Sequence, residues 1–368
     1  MKKIIHISNT LDFTINAYRT YEKAYPGQNK ILIIHPFWPR PRKNTLENVE
    51  YMNAHIFHLK LNEIAKKNDL VVLHSMNYWN TLFFLKNTNI KIIPILFGFE
   101  VAMNKLIKSE FYQEYEKHIV RDNFVKRAYK FLNWGFYHSQ KLINLNFIKF
   151  LGQTKILGTY ENEFDFLVKN KYVKKNTQFF NFQYFPAEQM IEEIDLSIEV
   201  GENILIGHSG DPTSNQIETL KELKALDLGV RKLITPLSYG SKSHIAKVKS
   251  YGEKNLPTNF KPIQDLMPLK EYNELLQSCG YVIMNQKTTT GYGNILTALF
   301  LGSRVFVNCE SIYDDLKNWG VIVYKPEDFF SMKIEKLNSK EIEHNRNILI
   351  EYIGEEALKK KIKKIIAL

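Results

Sequence analysis

The chain is poor in cysteine and lacks any long apolar run. Cys279 and Cys309 are its only cysteines in 368 residues. Two cysteines supply neither a disulfide framework nor a zinc site, which indicates a reducing compartment; each adjoins a predicted buried strand, so both are interpreted as core residues. No apolar run reaches the roughly 18 residues of a membrane span, and the apolar stretch after Met1-Lys2-Lys3 is too short for a signal peptide. We therefore expect a cytoplasmic protein, or one bound peripherally to the inner face of the cell membrane.

Acidic residues are also fewer than basic ones. The chain has 39 Asp and Glu against 50 Lys and Arg, a formal net charge of +11. Such a balance favours anionic partners, namely nucleic acid, anionic lipid or phosphorylated substrates. No zinc-finger, RRM or helix-turn-helix pattern occurs, which argues against nucleic acid. With 44% hydrophobic residues, the chain has ample core for two domains of ordinary size.

The apolar pattern alternates between short continuous runs and helical periods, in two blocks. Continuous apolar strands separated by helices predict a parallel sheet covered on both faces. In the first block the predicted strands are Lys3–Ser8, Lys30–His35, Asn53–Leu59, Leu70–His74, Lys91–Phe97, Lys155–Gly158 and Phe179–Phe185. Pro94 predicts a sheet edge or a bulge, because proline has no N–H to donate.

The second block begins at Asn203, after a boundary expected between residues 170 and 200. Its predicted strands are Ile204–Ile206, Val230–Thr235, Asn259–Ile263, Tyr281–Met284, Arg304–Val307 and Val321–Tyr324. The last residues read as a helix that Gly354 breaks in two and whose apolar edge packs on the first domain. The fold class is therefore α/β, with two Rossmann-like domains facing a central cleft. The expected boundaries are 1–190, 200–340 and a C-terminal helix over 341–368.

Two junctions of the second block have the composition of an anion site. Within Cys279–Gly302, a strand passes through a polar loop and Gly291-Tyr292-Gly293 into a helix. Free N–H groups and the helix dipole at such a start bind anions, of which a diphosphate is the obvious example. Ordinary turn chemistry explains the same glycines. The loop 207–215 likewise suits a phosphate or a sugar, or is a helix start capped by Thr213 or Ser214.

In the first block, polar residues follow the predicted strands. His74 ends the fourth strand, and Glu100 follows the fifth after Gly98. Ligands bind at the carboxyl ends of strands in such sheets. Glu100 suits a general base or a cap for the helix that follows it, and His74 suits a catalytic helper or a histidine satisfied by the backbone.

Between Arg121 and Lys155 the chain is basic and rich in aromatics, with Asp122 as the only acid. A helix of this kind can lie on anionic lipid, or bury its aromatics in the core and expose its lysines. Metal binding has little support: Asp314-Asp315 lies inside a predicted helix rather than at a strand end, so the residues favour a metal-independent site.

Several of these segments match one family in the same order. The matches are ILIGHSGD over Ile204–Asp211 with Ser214-Asn215, Pro236 and Tyr239, Tyr272–Leu276 with Cys279, Gly291 and Gly293, Asn308 and Glu310, Gly98 and Glu100, His74, and Phe185-Pro186. On these residues the sequence resembles the bacterial TDP-N-acetylfucosamine:lipid II N-acetylfucosaminyltransferases, the 4-alpha-L-fucosyltransferases that add the last sugar of the enterobacterial common antigen repeat. Ser238 stands for the family's glycine and Glu100 for its aspartate. Lys287 is the cation nearest to the family's arginine, in a loop one residue longer.

The resemblance implies a metal-independent GT-B glycosyltransferase with a nucleotide-sugar donor, a TDP-linked sugar, and a glycan or polyprenyl-diphosphate-linked acceptor in cell-surface polysaccharide synthesis. It needs no cofactor. The implied catalytic residues are Glu100 and His74. The implied donor-binding residues are Ser209, Gly210, Asp211, Pro236, Tyr239, Lys287, Gly291, Gly293, Asn294, Asn308 and Glu310. Three alternatives remain at this point: the same fold with a UDP- or GDP-sugar, a non-catalytic sugar-nucleotide-binding module, and a basic nucleic-acid binder.

Overall fold

The structure is a computed structural model that describes residues 3–35, 48–65, 69–74, 76, 78–86, 90–96, 145–191, 194–331 and 335–367. The described residues divide into two compact units. The first comprises those up to Pro186 together with Glu355 onward, and the second runs from Ala187 to Gly354. Among the described residues, none of the helices has the length and apolar character required to cross a membrane.

The first unit is built on a parallel sheet whose order is β3-β2-β1-β4-β5-β6-β7. Its described strands are β1 Ile4–Ser8, β2 Asn29–His35, β3 Val49–Asn53, β4 Leu70–His74, β5 Lys91–Ile95, β6 Ile156–Gly158 and β7 Gln178–Phe180. The described helices are α1 Leu11–Ala24, α2 Ala54–Leu59, α3 Leu61–Ile64, α4 Tyr78–Lys86, α5 Glu161–Lys169 and α14 Glu355–Ala367, and residues 145–153 are also helical. The continuous apolar runs form the buried strands, as the sequence predicts.

The last helix of the chain, α14, belongs to this first unit. Its Ile362 and Ile365 are 1% and 3% exposed and pack with Ala17 and Tyr21 of α1. Lys23 of α1 also forms an ion pair with Glu355. The expected return of the C-terminal helix to the first domain is confirmed.

The second unit has a parallel sheet of order β10-β9-β8-β11-β12. Its described strands are β8 Asn203–Ile206, β9 Leu233–Pro236, β10 Phe260–Ile263, β11 Cys279–Met284 and β12 Arg304–Val307. Its described helices are α6 Ala187–Met190, α7 Gln216–Leu223, α8 Lys242–Asn255, α9 Leu269–Gln277, α10 Tyr292–Leu301, α11 Glu310–Trp319, α12 Pro326–Ser331 and α13 Ser339–Ile353. Cys279 and Cys309 are buried free thiols, as their position beside apolar strands predicts, and Gly354 does separate two helices.

Several strand predictions are wrong or too long; the one over Val230–Thr235, for example, begins only at Leu233. Of the predicted strand Asn53–Leu59, only Asn53 belongs to a strand: it ends β3, Val49–Asn53, and Ala54–Leu59 forms α2. Val321–Tyr324 forms only an isolated bridge from Tyr324 to Phe306. The strand predicted over Phe179–Phe185 ends at Phe180, which leaves 181–186 as a loop.

Pro94 lies inside the sheet rather than at its edge. Its strand β5 has a neighbour on each side, β4 and β6. On the β6 side, however, only Ile95 is in register, opposite Gly158. Pro94 therefore meets no strand partner on that side, and its missing N–H costs the sheet little.

Candidate active site

The loops that the sequence singles out lie at one edge of the second sheet. Every pairing in that sheet is parallel, so the carboxyl ends of its strands share one edge. Strands β8 and β11 are neighbours although β9 and β10 lie between them in the chain. The strand order reverses there, and ligands of doubly wound sheets bind at such a switch point. Gly207 follows β8 and Asn285 follows β11 directly at this point.

The loop after β8 turns sharply and carries its own cap. Gly207 has a φ of +65°, which favours glycine. The carboxylate of Asp211 accepts hydrogen bonds from the backbone N–H and the hydroxyl of Thr213, at 2.9 and 2.7 Å. Asp211 thus caps the short 3-10 turn Pro212–Ser214, and α7 begins after Asn215 rather than after a Thr213 or Ser214 cap. Ser209 is 1% exposed inside this loop.

The loops after β8 and β9 are joined backbone to backbone. The N–H of Gly210 donates to the carbonyl of Tyr239 at 2.8 Å, and that of Ser241 donates to the carbonyl of Gly210 at 3.1 Å. A Cβ on Gly240 would lie 2.4 Å from the carbonyl carbon of Gly210. This approach brings Tyr239 near Asp211: although the residue is 53% exposed, partial desolvation of its hydroxyl and the charge of that carboxylate both raise the pKa of the hydroxyl. Pro236 ends β9 just before this loop.

The start of α10 lies against the β8 loop. Gly291 has a φ of +74°, and a Cβ there would lie 2.8 Å from Nδ1 of His208 and 3.2 Å from Nε2 of Gln286. A Cβ on Gly293 would meet nothing within 4 Å. The first N–H groups of a helix have no acceptor within it, so the start of α10 presents donors at the switch point. Asn294 donates its amide to the hydroxyl of Tyr272 at 3.0 Å, and Lys287 is exposed.

A buried amide network ties together the ends of β11 and β12. Asn308 donates to the carbonyl and the side-chain oxygen of Asn285, at 3.3 and 2.8 Å. Asn285 in turn donates to the hydroxyl of Thr219 at 3.0 Å, and Asn215 donates to the carbonyl of Asn285 at 2.9 Å. The side chain of Asn308 is thus engaged in hydrogen bonds within the protein, while Glu310, the first residue of α11, is exposed.

His208 is a candidate site residue that the sequence reasoning missed. It is 8% exposed, and burial lowers the pKa of its imidazole to about 4, although the carboxylate of Asp211 acts in the opposite direction. Within the described part of the chain its Nδ1 has no hydrogen-bond partner. The signal was its position between Gly207 and Ser209, directly after an apolar strand. A neutral imidazole is thus buried beside the donors of α10.

In the first unit, His74 ends β4 and is 1% exposed. It forms hydrogen bonds with His6 and with the hydroxyl of Tyr184. Glu100 and Gly98 lie outside the described residues, as does 121–144 of the basic aromatic segment. Phe147 and Phe150, from the described end of that segment, are buried in the core. Over 3–35, 48–65, 69–96 and 145–367, wherever the structure describes the chain, no three His, Cys, Asp or Glu side chains are grouped to hold a metal ion.

Two parallel α/β sheets, one with glycine-containing loops at a switch point, are compatible with many doubly wound proteins, and solved structures of GT-B glycosyltransferases share the fold. An alpha,alpha-trehalose-phosphate synthase (UDP-forming) from Burkholderia xenovorans is similar over 99% of both chains, with a TM-score of 0.64 and 7% identity. The trehalose-6-phosphate enzyme of E. coli bound with UDP-2-fluoro glucose is similar over 100% of this chain and 98% of that one, with a TM-score of 0.64 and 9% identity. A sucrose-phosphate synthase from Thermosynechococcus elongatus has a TM-score of 0.61 at 7% identity, over 100% and 98% of the chains.

At such low identities the likeness establishes the fold. The family comes from the sequence: the model of the 4-alpha-L-fucosyltransferases, glycosyl transferase group 56, matches residues 126–350. The chain belongs to this family, and it is a glycosyltransferase of GT-B fold. No protein with a curated description matches its sequence. The fold class, the enzyme class and the family predicted from the sequence are confirmed.

Proposed function

We propose that the enzyme transfers a deoxyamino sugar such as N-acetylfucosamine, or fucose, from a TDP-linked donor to a polyprenyl-diphosphate-linked or other glycan acceptor. The observation that carries the proposal is the convergence of Gly207, His208 and Gly291 at the switch point of the second sheet. The family match supports the class of sugar. The reaction would serve the synthesis of a cell-surface polysaccharide.

The donor diphosphate is proposed to bind at the N-terminus of α10. Backbone N–H groups there have no acceptor in the helix, and the dipole of the helix favours an anion. The absence of a side chain at Gly293 leaves open space for a phosphate oxygen to approach. Lys287 supplies a positive charge from the exposed part of the same loop. These groups would neutralise the leaving diphosphate without a metal ion.

Nucleotide binding tests this proposal first. A ligand that binds only the folded protein stabilises it by mass action and so raises Tm. At a ligand concentration of one hundred times Kd, the free energy of unfolding increases by about 2.7 kcal/mol. We expect TDP to raise Tm more than UDP, GDP, CMP or ADP, equally with magnesium and with EDTA. Stabilisation by UDP or GDP alone would keep the reaction class and replace the donor. No response to any nucleotide would contradict the donor site.

The acceptor side is proposed to use Glu100 as general base with His74 as its helper. Glu100→Gln removes the proton acceptor and keeps the shape of the side chain. We expect turnover to be lost while the Tm increase with TDP is unchanged. Persisting turnover would contradict the assignment, and is the result expected if the configuration of the sugar is retained without a base.

The basic segment is proposed to dock on anionic lipid, as a lipid-linked acceptor would require. Lys126→Glu with Lys130→Glu is expected to reduce co-sedimentation with vesicles that contain anionic lipid. Lys169→Glu with Lys175→Glu is the matched control, since these exposed lysines lie outside the segment and the change in charge is the same. Equal loss in both pairs would show a general charge effect rather than docking by this segment.

A further inference from the structure

A buried histidine lies against the N-terminal end of α10. The ring of His208 is 8% exposed, and its Cγ–Nδ1 edge faces Gly291, the residue that precedes the first turn of the helix. A Cβ on Gly291 would lie 2.8 Å from Nδ1 and 2.9 Å from Cγ, so only glycine allows the ring to come so close. The ring is thus placed beside backbone N–H groups that have no acceptor within the helix.

The free protein keeps this ring neutral. Nδ1 of His208 has no hydrogen-bond partner in the described ranges, and the amide of Gln286, which also borders Gly291, donates instead to the carbonyl of Thr290 at 2.8 Å. A charged imidazolium needs an acceptor for each of its two N–H groups, and the described chain offers none to Nδ1. Burial accordingly lowers the pKa of His208 to about 4, although the carboxylate of Asp211 acts in the opposite direction.

An anion at the first turn of α10 would lie close to this ring. By ordinary bond lengths, the backbone nitrogen of Tyr292 is about 3 Å from the Cβ position of Gly291, and therefore within about 6 Å of Nδ1 of His208. A phosphate oxygen that accepts from this N–H group would lie at a similar distance from the ring. An opposite charge within about 4–6 Å favours the charged form of a histidine, and it does so more strongly where water is excluded.

The other positive charges of the proposed donor site are weak. Lys287, in the loop after β11, is exposed, so solvent screens its charge. The N-terminus of a helix is equivalent to about half a positive charge, whereas a diphosphate carries several negative charges. A buried imidazolium beside α10 would act where the dielectric constant is lower, and would therefore stabilise a bound diphosphate more than the exposed lysine does.

We propose that His208 is a cation of the diphosphate site: its ring takes up a proton from solvent when the donor binds and remains an imidazolium beside the diphosphate until the nucleotide product leaves. The proton returns to solvent on release, so the cycle consumes none. The proposal rests on the proposed function, because the donor is taken to bind at the start of α10. It adds a binding residue from the loop after β8 and assigns the charge that this residue carries.

Other titratable groups border the same edge of the second sheet. They are Asp211 on the loop of His208 itself, Tyr239 after β9, His244 on α8, Tyr272 on α9, Lys287 after β11 and Tyr292 on α10. Among these six, His244 is the second imidazole. Burial lowers the pKa of His244 to about 4, and the carboxylate of Asp211 acts on it in the opposite direction, as it does on His208. The experiment must therefore identify which of the two histidines takes up the proton.

The charge of each ring is measurable directly. In the full chain labelled with nitrogen-15 in histidine, long-range proton–nitrogen spectra distinguish a neutral ring, which has one nitrogen without hydrogen, from an imidazolium. The signals of His208 and His244 are those that disappear in His208→Asn and His244→Asn. At pH 6.5 we expect His208 to be neutral in the free protein and an imidazolium with saturating TDP. A ring that stays neutral with TDP bound, or a proton that appears on His244 instead, would overturn the proposal.

Proton uptake also makes the affinity for TDP depend on pH. For a ring that is half-charged near pH 7 in the complex, the ratio of the Kd of His208→Asn to that of the wild type should be about tenfold larger at pH 6 than at pH 8. The ratio cancels the titration of TDP itself, and His208→Gln gives the same readout if the asparagine variant is unstable. His344→Asn is the matched control on α13, where the exposed His344 is bonded to the carbonyl of Gly320, and its ratio should stay near one at both pH values.

A purely structural role for His208 predicts a different pattern. His208→Asn would then lower Tm, or change the Kd for TDP by the same factor at both pH values, and this result refutes the proposal. If the wild type binds no TDP, the proposed function fails, and the spectra are recorded with inorganic diphosphate instead. Uptake of a proton by His208 then supports an anion site for another phosphorylated ligand, whereas a neutral ring or no binding overturns the proposal as well.

Discussion

Gly291 offers a direct test of how the donor site is built. Gly291→Ala places a methyl group 2.8 Å from Nδ1 and 2.9 Å from Cγ of the buried His208 ring, on a backbone with a φ of +74°. A left-handed backbone costs a residue other than glycine about 1–2 kcal/mol. Forcing a packed ring to move costs about 1–3 kcal/mol more. We therefore expect a loss of about 2–5 kcal/mol of stability, or about 5–15 °C in Tm for a unit of this size.

Gly293→Ala is the matched control, two residues along the same helix. A Cβ there meets nothing within 4 Å, and alanine is a better helix former than glycine by up to about 1 kcal/mol. We expect an unchanged or higher Tm for the free protein, but a smaller Tm increase with TDP, because the methyl group occupies the space proposed for the diphosphate. A Gly291→Ala protein within about 2 °C of wild type would refute the packing argument.

Two further predictions concern stability. Gly240→Ala should prevent or severely weaken folding, since its Cβ would lie 2.4 Å from the backbone of Gly210, on a backbone with a φ of +124°. Gly229→Ala is the control: Gly229 has a φ of +53° and a Cβ there would meet nothing within 4 Å, so the change should cost only about 1–2 kcal/mol. Equal urea midpoints for the two variants would contradict this expectation. The pKa of His208 is lowered to about 4 by burial, so the unfolded chain binds the proton more readily and stability falls as pH drops from about 6.5 towards 4. Between pH 7 and pH 5, His208→Asn should lose about 2 kcal/mol less of its free energy of unfolding than the wild type, as measured by urea titration. An unchanged pH dependence would contradict the assignment.

The sequence predicts the sheets well because their strands are buried on both faces. Runs such as Leu70–His74 and Cys279–Met284 have every residue buried, and continuous apolar character is a strong signal. Val49–Asn53 was missed because most of it is only half-buried. The following residues were mistaken for a strand, although Ala54 and Phe57, both 0% exposed, have the three-residue spacing of a helix face.

The candidate site is predictable in its location but not in its chemistry. Strand ends and glycines point to the loops at 207–215 and 285–291, and the structure brings these loops together. The sequence does not show that the side chains of Asp211, Asn294 and Asn308 are engaged in hydrogen bonds to Thr213, Tyr272 and Asn285. These partners come from other turns and strands, and only tertiary packing selects them. The burial of His208 was missed for the same reason.

The order of the two units along the chain determines which of them can complete its packing first during synthesis. The second unit, Ala187 to Gly354, stands in the sequence between the main part of the first unit and α14. When synthesis has passed residue 354, the second unit is complete, but Ala17 and Tyr21 of α1 still lack Ile362 and Ile365 as neighbours. The unit that begins first therefore cannot complete its packing until α14 has been synthesised, because this face of α1 lacks its neighbours until then.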